Sequence, residues 1–117
     1  MNPDEAAGVR IVVTEVRRRD GAILVTVTGD LDVETTAMFH RRLGDILDGR
    51  DGQRLDLDMS TLGFCDLAGL RALHALGLAG APVRIVAAGP SLNVLLRLCQ
   101  ISVLLDYTPA PAHPDEA

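Results

Sequence analysis

The sequence predicts an α/β sandwich: a mixed sheet of four to five strands that opens with a β-hairpin and carries its helices mainly on one face. Three observations predict it. Val9, Ile11 and Val13 alternate with lesser neighbours, Ile23, Val25 and Val27 do the same, and Asp20-Gly21 lies between the two runs, which is a hairpin signal. Beyond Val33, apolar residues recur at helical spacing in segments separated by short strand-like runs. Finally, Asp56 and Asp58 share one side of a strand whose other side is Leu55 and Leu57. Apolar helices cannot cover both of those sides without a large desolvation cost.

Taken in order, Gly29-Asp30-Leu31-Asp32 breaks the second strand before a helix from about Val33 to Leu47. Phe39, Leu43, Ile46 and Leu47 fall on one face of it, Arg41, Arg42, Asp45 and Asp48 on the other, and Gly49 and Gly52 end it. A strand follows at about Arg54–Met59. The next helix is predicted over Leu67–Leu78, with Asp66 as its N-cap and with Leu70, Leu73 and Leu76 or Gly77 inward. Gly80-Ala81-Pro82 turns into a strand at Val83–Ala87. Gly89-Pro90-Ser91 opens a third helix, capped by Ser91 or a neighbour and packing through Val94, Leu95 and Leu98. Ile101 and Leu104–Tyr107 supply a last short element. The order is β-β-α-β-α-β-α, and each helical crossover makes a parallel neighbour.

At 117 residues the chain is long enough for one core. Residues 9–107 form the expected domain, between a flexible amino end (1–8) and a flexible Pro/Ala-rich tail (108–117). One Tyr, two Phe and no Trp leave the core to Leu, Val, Ile and Ala and supply no base-stacking platform. A net charge of −5 argues against nucleic acid or an anionic membrane as partner, and no apolar run is long enough to insert in a bilayer. Cys65 and Cys99 lack metal-ligand spacing and are too few for a disulfide framework. Both are expected reduced and partly buried, and with no secretory signal a cytoplasmic address is expected.

Every basic side chain is arginine, which excludes Schiff-base chemistry and a phosphate-binding P-loop lysine. His40, His74 and His113 are scattered, and no nucleophile–base pair can be proposed, so the expectation is a protein that is not an enzyme and needs neither cofactor nor metal. Asp30, Asp32, Asp58 and Asp66 gather near the carboxyl ends of strands, where open sheets bind ligands. A phospho-aspartate receiver would need a lysine that is missing here. Gly69 costs the second helix about 1 kcal/mol relative to Ala, so either close packing on the sheet or close approach by a partner must offset it.

These motifs, in this order, resemble a STAS domain of the bacterial anti-sigma-factor antagonist family. The matching stretches are Gly29-Asp30-Leu31-Asp32, Leu55-Asp56-Leu57-Asp58-Met59-Ser60, Phe64-Cys65-Asp66, Gly69-Leu70 and Val83-Arg84-Ile85-Val86. The resemblance implies a STAS-like fold and a partner that is an anti-sigma factor of the GHKL-type kinase kind. It places partner binding at Asp30, Asp32, Phe64, Cys65, Asp66, Leu67, Ala68, Gly69 and Arg71. Family members normally open this helix Asp-Ser-x-Gly or Asp-Thr-x-Gly, and the partner kinase phosphorylates the hydroxyl. Here the motif reads Asp66-Leu67-Ala68-Gly69, so Leu67 stands at the acceptor position and cannot be phosphorylated; Ser60 and Thr61 are nearby hydroxyls out of alignment with it. The alternative is a STAS subunit of a larger machine such as a lipid-transport ABC complex. A homodimer through the open sheet face or the hairpin edge is compatible with either.

Overall fold

A computed structural model describes residues 10–18, 20–48 and 53–110. Its elements are β1 (Ile11–Arg17), β2 (Ile23–Leu31), α1 (Thr36–Asp48), β3 (Leu55–Met59), β4 (Leu62–Cys65), α2 (Leu67–Leu78), β5 (Val83–Ala88) and α3 (Pro90–Leu98). The sheet is mixed and five-stranded, in the order β1-β2-β3-β5, with β4 paired to β2 off that path. β1 and β2 form the antiparallel hairpin, turning at Gly21 with φ +88°. The pairs β2·β3, β2·β4 and β3·β5 are parallel.

One difference from the sequence reading is an extra strand. The stretch after Met59 is not a linker: the chain turns at Ser60-Thr61, and β4 resumes alongside the distal half of β2. The strand expected fourth is therefore fifth, and it runs one residue further, to Ala88. The first helix begins at Thr36 rather than Val33, because Val33–Thr35 form a turn closed by Asp32. Gly49 and Gly52, expected to end it, lie outside the described residues.

The core sits on one side of the sheet. Ile23, Val25, Val27, Leu55, Leu57, Val83 and Ile85 pack with Phe39, Leu43 and Ile46 of α1, Leu70, Leu73 and Leu76 of α2, and Leu92 and Leu96 of α3. All three helices thus contribute to one face. Of the packing residues expected in the third helix, Leu95 lies partly buried against the core, but Val94 is 43 % and Leu98 75 % exposed, and Leu92, Asn93 and Leu96 are the buried ones. Its N-cap is Gly89 without a side-chain bond, and Ser91 Oγ donates instead to Gly63 O at 2.7 Å. The helix is apolar on two sides, and the inward one is chosen by Asn93. Its Nδ2 donates to Ala88 O and Gly89 O, and its Oδ1 accepts from the Tyr107 hydroxyl at 2.7 Å and Ala110 N at 2.9 Å. Those bonds hold the C-terminal segment down, and the Leu104–Tyr107 turn aims Leu105 O at Ile85 N, covering the outer edge of β5.

The face without helices is wet only in part: Val12, Val16 and Val86 are exposed on it. Asp56 is fully buried there, under arginines. Arg54 Nε and Arg84 Nε each donate to its Oδ1 at 2.8 Å, and Arg18 reaches Oδ2 at 3.1 Å. Burial pushes the carboxyl pKa up, but the hydrogen bonds and charges of Arg84 and Arg54 outweigh it and hold the group below its ordinary value. Asp58 is half-buried and accepts from the Ser60 amide and hydroxyl.

Candidate functional site

The mouth of α2 lies where β2 and β4 end side by side, with Asp30 against Phe64 and Leu31 against Cys65. Asp66 caps the helix: one oxygen accepts from Gly69 N at 2.9 Å, the other from Val33 N at 3.4 Å. A single carboxylate thus ties the helix start to the loop after β2. Gly69 is required for the fit, because a Cβ there would lie 2.4 Å from Leu31 O and 2.9 Å from Cys65 Sγ. Close packing on the sheet is enough to account for the glycine.

Asp32 is a second anchor. It is 5 % exposed, and its Oδ1 accepts from the amides of Glu34 (2.9 Å) and Thr35 (3.1 Å). Thr35 Oγ1 accepts from Asp32 N and donates to Asp30 O, each at 2.9 Å. Arg10, which precedes β1, reaches over this loop to pair with Asp32 and Glu34, and lies 3.8 Å from Asp30. Cys65 is buried beneath the same surface. Desolvation, with a smaller push from the Asp66 charge, drives its thiol pKa up to about 12, so it is an inert packing group. Cys99 is exposed rather than partly buried.

Of the residues singled out from sequence, Asp32, Cys65 and Gly69 are buried and shape the surface from behind. Asp30, Asp66 and Ala68 are half-buried. Phe64 (49 %), Leu67 (48 %) and Arg71 are exposed. Sequence reasoning passed over Arg10 and Val33, the latter 70 % exposed in the same loop. It also missed a groove of about 390 Å³ beside Phe64, lined by Pro90, Ser91, Val94, Leu95 and Leu98. Val94, Leu95 and Leu98 had been assigned to the core. Among the described residues no group of three or more His, Cys, Asp or Glu is placed to hold a metal.

This arrangement of hairpin, parallel strands and capped helix matches a known family. The sequence profile described as "Mlab, STAS domain" covers residues 14–106. The chain belongs to the STAS domain family.

Solved structures agree on the fold of this STAS domain. An anti-sigma factor antagonist from Mycobacterium paratuberculosis superposes with a TM-score of 0.67 at 23 % identity, over 98 % of this chain and 92 % of that one. A Shewanella loihica protein described as having a SpoIIAA-like fold gives 0.51 at 20 % identity, over 77 % and 76 % of the two chains. An anti-sigma-factor antagonist STAS domain from Rhodobacter sphaeroides gives 0.50 at 20 % identity, over 69 % and 88 %. No curated protein sequence matches the chain. Among the described residues no helix of the STAS domain is long and apolar enough to cross a membrane.

Proposed function

We propose that this STAS domain is a non-catalytic, cytoplasmic interaction module, an anti-sigma-factor antagonist-like regulator that binds an anti-sigma factor of the GHKL kinase type. Its partner surface comprises the Asp30–Asp32 loop, Phe64–Ala68 and the exposed side of α2 with Arg71. One observation carries the reading: Leu67, the first residue of α2, is 48 % exposed between the cap Asp66 and the packed Gly69. In the family that this chain resembles, the same position presents the hydroxyl that the partner phosphorylates. A phosphate there adds a charge of about −1.5 to −2 beside an aspartate and breaks the contact. Leucine keeps the surface apolar, and covering its exposed half adds about 1 kcal/mol to binding. The module therefore binds without the usual release switch.

The test is to incubate the protein with a candidate anti-sigma kinase and ATP and to read intact mass. The wild type is expected to take up no phosphate, and Leu67→Ser to gain one. Phosphate on the wild type, mapped to Ser60 or Thr61, overturns the switchless reading. The same leucine favours a second reading, a STAS subunit of a larger assembly such as a lipid-transport ABC complex, because a permanent contact suits a constitutive subunit. Tight binding of Leu67→Ser without phosphate uptake selects that alternative.

A further inference from the structure

The segment that covers the edge of β5 is bent against its own preference. Leu104 and Tyr107 exchange both backbone hydrogen bonds, at 2.9 and 2.8 Å, closing a four-residue turn. Its two central residues, Leu105 and Asp106, sit at φ +47° and +64°. A turn with two successive left-handed residues is ordinarily built from Asn-Gly or Gly-Gly. A Cβ crowds the neighbouring carbonyl there, and a bulky side chain such as leucine is rare. The turn therefore owes its shape to what docks it.

Among the described residues four hydrogen bonds dock residues 104–110. Leu105 O accepts from Ile85 N at 2.9 Å, and Ala110 O accepts from Arg97 Nη1 at 2.6 Å. The other two converge on one atom: Asn93 Oδ1 accepts from the Tyr107 hydroxyl at 2.7 Å and from Ala110 N at 2.9 Å. Asn93 is buried, and its Nδ2 is committed to Ala88 O and Gly89 O, so its oxygen is aimed at this segment. Packing is uneven. Leu104 is buried, whereas Leu105 and Tyr107 are only partly so. A cavity of about 300 Å³ is lined by Asp106 on the turn and by Arg54 and Arg84 on the sheet. Just upstream, Ser102 and Val103 are exposed and make no hydrogen bond to any described residue.

We propose that residues 104–110 are a strap that opens as one unit, hinged at Ser102-Val103, with Asn93 as its catch. Closed, the strap covers the outer edge of β5, as sheets commonly cover an edge with a loop. Open, it bares the Ile85 amide and releases the two left-handed residues. Asn93 favours the closed state, because opening takes both donors from a buried carbonyl oxygen. The strap shares no residue with the partner surface at the mouth of α2, so it stands or falls independently of that reading.

Native-state amide exchange of the full chain tests it, with urea dependence. The amides of Ile85, Leu104, Tyr107 and Ala110 are expected to share one protection factor. It should lie at least about a hundredfold below that of Val25, in the middle of the sheet, and fall only weakly with urea. Tyr107→Phe removes one bond to the catch and is expected to speed all four about five- to tenfold, Ile85 included, although Ile85 bonds to Leu105 rather than to the tyrosine. Asp106→Gly eases the left-handed backbone and is expected to slow all four about two- to threefold. Ile85 protected as fully as Val25 with the same urea slope, four unrelated protection factors, or exchange at Ile85 untouched by Tyr107→Phe would each overturn the proposal. Faster exchange in Asp106→Gly would overturn the strained turn as its driving element.

Discussion

The two cysteines show how much one position decides. Cys65, with its thiol pKa pushed to about 12, holds about one part in ten thousand as thiolate at pH 8. Cys99 is exposed. Iodoacetamide treatment of the native protein at pH 8, read by peptide mass spectrometry, is expected to label Cys99 and leave Cys65 intact until denaturant is added. At this scale the cap and the cost of a glycine at the mouth of α2 were legible in the sequence. Asp66 as a cap depends on its own helix, and the cost of Gly69 is local too, so neither needed knowledge of the fold. Arg10 was not legible, because its partners lie 22 and 24 residues away across the hairpin.

At the level of elements, α2 and β2 meet through backbone rather than side chains. A methyl at Gly69 would overlap Leu31 O, which belongs to a paired strand. Gly69→Ala should therefore destabilise despite its better helix propensity, by about 2 kcal/mol, seen as a lower urea midpoint with an unchanged m-value. Substitution at Gly44 of α1, where a Cβ meets nothing within 4 Å, is expected to be stabilising by comparison. The hairpin, α2 and the core face of α1 followed from periodicity because each has one apolar side. β4 did not: it has four residues, one of them glycine, and exists because β2 is long enough to pair beyond the end of β3. The orientation of α3 failed for a related reason, since Val94 and Leu98 are as apolar as Leu92 and Leu96. The deciding contact, Asn93 to Tyr107 and Ala110, is tertiary.

Across the whole molecule, the buried Asp56 joins the hairpin tip, β3 and β5 through Arg18, Arg54 and Arg84. Its folded pKa lies below its unfolded value. The stabilisation is therefore complete above the ordinary carboxylate range, about pH 4, and is lost as pH falls through the lowered folded value. Asp56→Asn would leave three guanidinium groups facing one another. Because each is about two-fifths exposed and screened by water, the expected cost at pH 7 is about 2 kcal/mol rather than the 3–5 of a deeply buried pair. Urea unfolding of both proteins across pH should show that gap closing in acid. The strand pattern also governs how the chain reaches this state. β2 holds β1, β3 and β4 together, yet its first parallel partner for Ile23 is Leu55, on the far side of α1. The hairpin can form early from neighbouring residues, whereas the parallel half must wait for a distant segment to return, so loop closure between β2 and β3 sets the pace of folding.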